Sequence, residues 1–135
     1  MKILICNSLM RSILFVCTGN TCRSVMAEAL ARERFGDSLR VASAGIHPQK
    51  ATDAQSAVMT LKIEFNIDAS GHVPRDVRSL DLTEFDQIIA MDKHVAAELR
   101  KLTDRDVLVW KIEDPWGSNE YRECALKILK QLNRC

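Results

Sequence analysis

The chain has 135 residues, a formal net charge of +1, 47% hydrophobic residues and 27% charged residues. That length fits one domain with a real core, and the balanced charge gives no support for nucleic acid or a membrane as partner. No run approaches a transmembrane span. The opening apolar stretch, residues 1–6, is too short for a signal peptide and is broken by Asn7, Ser8 and Arg11.

In chain order, residues 12–16 read as a buried strand. Residues 24–35 read as a helix with Ala27, Ala31 and Phe35 on one face and Gly36 as its stop. A second strand over 39–44 ends at Gly45. Asp53 caps a helix through Phe65, with Ala54, Val58, Leu61 and Phe65 inward. A short helical turn falls at 83–85, then a third strand at 87–91. A helix over 93–102 points Val95, Leu99 and Leu102 inward, and a fourth strand covers 106–110. Ser118 or Asn119 caps the last helix, along which Tyr121, Ala125, Ile128 and Leu132 align. Strands separated by helices predict an α/β fold: a three-layer structure whose four-stranded parallel sheet carries helices on both faces. Ligands in such sheets sit beyond the C-terminal strand ends.

The segment after the first strand carries the chemistry. It reads Cys17-Thr18-Gly19-Asn20-Thr21-Cys22-Arg23-Ser24. A free thiol, with pKa about 8.5, is only a few per cent thiolate at neutral pH. A helix N-terminus offers unpaired N–H groups and positive potential, and a tight loop turns further amides inward as an anion nest. Gly19 can take backbone angles closed to other residues, and Asn20 tolerates the left-handed region. Arg23 supplies a planar fork for two phosphate oxygens. Ser24 can cap the helix or hydrogen-bond the Cys17 sulfur. Residues 18–24 are therefore the expected phosphate-binding loop.

Residues 16–24 resemble the active-site loop of the low-molecular-weight protein tyrosine phosphatases, V-C-x-G-N-x-C-R-S. The resemblance extends through Met26-Ala27-Glu28-Ala29, Ser43-Ala44-Gly45, His72 with Arg75, Met91-Asp92 and Asp114-Pro115. It spans nearly the whole chain from Met10, a natural family start. Residues 1–9 are then an N-terminal extension and 10–135 the phosphatase domain. Val25 stands where the family usually has proline, the stretch between Asp92 and Asp114 is short, and Trp116-Gly117 replaces the paired aromatics common in tyrosine-directed members.

The resemblance implies a phosphomonoesterase acting on protein phosphotyrosine through a cysteinyl-phosphate intermediate, with no metal or organic cofactor. Cys17 is the implied nucleophile, Arg23 the phosphate-binding cation and Asp114 the general acid and base, held extended by Pro115. Ser43 and His72 resemble the family's supporting residues. Thr21 and Trp116 are expected in the substrate cleft, although Trp116 could instead pack on its own loop. Cys22 either packs or forms a reversible disulfide with Cys17.

Thr21 also resembles a bacterial subgroup that prefers phosphoarginine. Thioredoxin-coupled arsenate reductases share the loop but need redox cysteines after the third strand, and residues 91–99 contain none. A phosphate-binding module without catalysis is a further alternative. No CxxC pair or His/Cys cluster suggests a metal site. An odd count of five cysteines, two in one loop, argues against a secreted disulfide framework and for the cytoplasm. The expected partner is a phosphorylated protein, with the enzyme a monomer or weak dimer.

Overall fold

β-Branched and other apolar runs of three to six residues pair into a single sheet in the computed structural model, which describes residues 10–134. The expected extension at 1–9 lies outside those residues. The strands are β1 (Ser12–Cys17), β2 (Arg40–Gly45), β3 (Gln87–Ala90) and β4 (Val107–Val109). All pairings are parallel and the order is β2-β1-β3-β4. Every residue of β1 is buried, as a central strand covered on both faces requires. The side chains alternate between two cores. Ile13 and Phe15 join the layer formed by α1 (Arg23–Phe35), α2 (Gln55–Phe65) and α4 (Ser118–Leu132). Leu14 and Val16 face α3 (Lys93–Arg100) with Val77 and Phe85. Each fully buried side chain of this size contributes about 1.5–3 kcal/mol.

The strand order reverses beside β1, which has β2 on one side and β3 on the other. A crevice opens at the C-terminal ends of β1 and β3, so Cys17 and Asp92 arrive at the same place. The other end of β1 is clamped by Asp86, whose Oδ2 accepts from the amides of Arg11 and Ser12 at 2.6 and 3.1 Å.

Several local expectations are corrected. Asp53 does not cap α2. A 3-10 turn over Ala51–Ala54 precedes that helix, and the Asp53 carboxylate accepts from the Lys50 amide. Ser24 lies inside α1, because the helix starts one residue earlier with Cys22 at its cap. Gly117, rather than Ser118 or Asn119, occupies the cap of α4. The third helix ends at Arg100, which leaves Leu102 41% exposed instead of inward.

Candidate active site

Peptide geometry builds the cradle. Beyond Gly45 the chain runs alongside the loop, and its amides bind the loop's carbonyls from outside. Ile46 donates to the Cys17 carbonyl at 3.1 Å, His47 to that of Thr18 at 2.8 Å, and Gln49 to that of Gly19 at 3.0 Å. His72 Nε2 donates to the Asn20 carbonyl at 2.8 Å, which sets its tautomer because a carbonyl can only accept. The Cys22 carbonyl takes the Met26 amide at 3.0 Å as the first bond of α1. A trans peptide sets each N–H opposite the preceding C=O, and the described residues contain no cis bond. Holding these carbonyls outward therefore turns the amides of Thr18, Gly19, Asn20, Thr21 and Arg23 inward. The Asn20 amide does reach the Cys17 sulfur, at 3.3 Å.

Asn20 is the keystone of the loop. It takes φ 55°, the left-handed conformation expected for it. Its Nδ2 donates to Ser24 Oγ at 2.8 Å and to Ser43 Oγ at 3.0 Å, while its Oδ1 accepts from the Arg75 amide at 3.0 Å. Ser24 Oγ lies 2.9 Å from Cys17 Sγ. With a Ser24 lone pair occupied by Asn20, the Ser24 proton is free for the sulfur. Ser43 Oγ donates a hydrogen bond to Glu28 Oε1, and Glu28 also pairs with Arg32. Glu28 and Arg75 were missed as supporting residues. The signal for Glu28 was its place one helical turn beyond Ser24, on the same face of α1.

Gly19 is needed for a different reason from the one expected. Its φ is not positive, but a Cβ there would lie 2.6 Å from Gln49 Oε1. The same oxygen accepts from Thr21 Oγ1 at 2.9 Å. Thr21, expected in the substrate cleft, is buried and tied to the exposed Gln49, to which no motif pointed. Gly45 meets the backbone of the loop itself. A Cβ on Gly45 would be 2.8 Å from the Thr18 carbonyl oxygen and 2.9 Å from the Asn20 amide nitrogen.

Arg23 is 2% exposed. Its Nη1 donates to Asp92 Oδ2 and to the Ile112 carbonyl, both at 2.8 Å. Its Nε lies 2.8 Å from Asp114 Oδ1, an ion pair without the alignment of a hydrogen bond. The Nε–H is therefore a charged donor still lacking a well-aligned acceptor. Burial works against the guanidinium charge, but Asp92, Asp114 and Cys17 outweigh it and raise the Arg23 pKa.

Asp92 does two jobs. Its Oδ1 accepts from the Val95 amide at 2.8 Å, capping α3, while Oδ2 holds Arg23. Burial pushes the Asp92 carboxyl up, yet the Val95 amide and Arg23 prevail and hold it below the ordinary carboxylate range. Asp114 is delivered by the segment after β4, where Trp110 donates to Ala90 and Ile112 donates to Met91.

A groove of about 630 Å³ joins Arg23, Asp92 and Asp114 to the exposed side chains of Lys93, His94 and Lys111. Trp116 stands at its mouth, 93% exposed. It does not pack on its loop, and it also borders a smaller groove between α2 and α4. A cavity of about 580 Å³ lies behind the loop, against Ser43, His72 and Glu28; it reaches the support network and not Cys17 or Asp114.

The model of the low-molecular-weight phosphotyrosine protein phosphatase family matches residues 12–134. The chain belongs to that family. An arsenate reductase of Bacillus cereus (strain AH187) is 30% identical over 128 residues, 92% of each chain. The crystal structure of a low-molecular-weight protein tyrosine phosphatase from T. tengcongensis superposes with a TM-score of 0.80 at 29% identity, covering 91% of this chain and 95% of the other. The YwlE arginine phosphatase from Geobacillus stearothermophilus gives 0.77 at 28% identity, covering 92% and 89%. Proteins similar to this chain are thus named for three different substrates.

Proposed function

We propose that the protein hydrolyses phosphotyrosine in proteins through a phosphocysteine at Cys17. The observation that carries this reading is the convergence on Arg23. Its Nε lies 2.8 Å from Asp114 Oδ1, within the same helix N-terminus whose loop surrounds Cys17.

A phosphate dianion entering the cradle takes the inward amides and the Arg23 Nε–H. Cys17 attacks phosphorus in line, forming the S–P bond as the P–O bond to the leaving group breaks. Asp114, displaced from Arg23 and protonated from solvent, gives that proton to the leaving oxygen. Water then attacks the phosphocysteine, Asp114 takes the proton, and the Cys17 thiolate leaves with the loop amides around it. Asp92 keeps Arg23 in place throughout. Lys93 and Lys111 draw the anionic substrate to the cleft, and Trp116 offers an aromatic face at its mouth.

A second reading, arginine phosphatase, is favoured by one feature. The Thr21 hydroxyl and the Gln49 side-chain carbonyl bonded to it make the loop polar at this point, which suits a guanidinium leaving group better than a phenol. Steady-state kinetics on a phosphotyrosine peptide and a phosphoarginine peptide, with one enzyme preparation, decides between them. The proposal expects the larger kcat/KM for phosphotyrosine. A larger value for phosphoarginine assigns the enzyme to the second reading.

A further inference from the structure

α2 carries an apolar pair on its outward face. Met59 and Ile63, four residues apart and so one above the other on the helix, are 53% and 69% exposed. With Trp116 they are three of the six most exposed large apolar side chains among the described residues, and all three line the groove between α2 and α4. Apolar side chains exposed singly need no explanation, but a cluster of them marks a contact surface.

The polar groups of this groove are already committed. Glu64, the charged residue of its wall, pairs with Arg122 at 2.8 Å. The Thr60 hydroxyl donates to the Ser56 carbonyl at 2.8 Å. With its charge neutralised and an apolar wall, the groove selects an apolar occupant. Its volume of about 290 Å³ is at the small end of ligand sites and holds one bulky side chain. Its eight lining residues fall far short of the roughly 20–30 a side of a stable protein interface, which argues against a second copy of the chain. Trp116 is also a wall of the groove that holds Arg23, Asp92 and Asp114. It follows Asp114 by two residues, at most about 7 Å of chain. The two grooves are therefore continuous across one indole.

We propose that the α2–α4 groove is a specificity subsite for the protein substrate, taking a large apolar side chain that flanks the phosphorylated residue. The proposal rests on the reading of the protein as a phosphatase of protein side chains. An extended peptide advances about 3.3 Å per residue. With the phosphoryl group in the Cys17 loop and the peptide passing Trp116, the apolar residue lies within about four positions of the phosphorylated one. The groove touches neither the phosphoryl group nor the leaving atom, so its contacts are equal in the ground and transition states. They lower KM and leave kcat unchanged.

The test uses two series of peptides, one phosphotyrosine and one phosphoarginine, in which a single leucine is stepped through the flanking positions of a Gly/Ser background. In the series that is hydrolysed, wild-type enzyme should favour one leucine position by about 10-fold in kcat/KM, carried by KM, the scale of one apolar side chain in a pocket. Met59→Ser and Ile63→Ser should each lose most of that preference. Both should hydrolyse p-nitrophenyl phosphate, too small to reach the groove, at the wild-type rate. Leu126→Ser removes an exposed apolar side chain of α4 outside the groove and should keep the preference. A wild-type enzyme indifferent to leucine, or a preference that survives in both groove variants, overturns the proposal. Self-association in sedimentation velocity that Ile63→Ser abolishes also overturns it, by giving the groove to a second copy. Binding of the same peptides to Cys17→Ser protein, read by fluorescence anisotropy, needs no turnover. A leucine preference there that is lost on adding Ile63→Ser, with no peptide hydrolysed by wild type, sinks the proposed function and leaves the subsite standing. Hydrolysis with no leucine preference does the reverse.

Discussion

Asp114 sits against the Arg23 Nε–H that a phosphate oxygen must take. One side chain is therefore both the proposed acid and a competitor for the phosphate site. Asp114→Ala separates the two effects. It should slow turnover by about 10²–10⁴-fold, the worth of a positioned general acid, and most for esters with poor leaving groups. It should also tighten inhibition by inorganic phosphate. Steady-state kinetics with phosphate as inhibitor checks both; equal losses for good and poor leaving groups, or weaker phosphate inhibition, would contradict the assignment. Thr21 governs a different contact. Because its hydroxyl is bonded to Gln49, Thr21→Ile removes a polar partner and adds apolar surface. The ratio of kcat/KM for phosphotyrosine over phosphoarginine should rise by about 10-fold, the scale of an altered pocket contact. An unchanged ratio in paired assays would take Thr21 out of substrate selection.

The cradle is an element-scale construction in which β1, the segment after β2 and α1 act together. Gly45 packs directly on the loop, and the atoms its Cβ would meet are backbone, unable to rotate away. Gly45→Ala should therefore push residues 18–20 and weaken phosphate binding while the sheet persists. The expected readout is a raised inhibition constant for phosphate with little change in secondary structure by circular dichroism; unaltered phosphate affinity would show that the loop is not braced there. Much of this construction was legible in the sequence. The order of strands and helices followed from apolar runs with turn residues between them, and Asn20 announced its left-handed backbone. Gln49 and Arg75 were not legible. Arg75 acts through its backbone amide, which any residue but proline could supply. Gln49 acts because the chain after Gly45 lies along the loop, which the parallel β1–β2 register brings about and no local pattern encodes. The helix starts were misplaced by one or two residues for a related reason: Asp53 and Ser24 found other hydrogen-bond partners.

At the scale of the whole molecule, Asp92 links catalytic geometry to stability. It joins α3 to Arg23 and so ties the two sides of the crevice together. Its folded-state pKa lies below the unfolded value of about 3.9. The stabilisation it gives is thus fully present above that value and is lost as pH falls through the folded one. Thermal melts of wild type and Asp92→Asn between about pH 7 and about pH 3 should show a smaller acid-induced fall in the variant, which has no charge to lose. Identical slopes would assign acid unfolding to other carboxylates.

The central claim is covalent chemistry at Cys17, and phosphoenzyme trapping tests it most directly. Rapid acid quenching of the enzyme during turnover of a radiolabelled phosphotyrosine peptide, followed by peptide mapping, should place the label on Cys17. Cys17→Ser should keep phosphate binding, carry no label and show no hydrolysis, because an alcohol replaces the thiolate. Label on another residue, or appreciable hydrolysis by pure Cys17→Ser protein, would contradict the account.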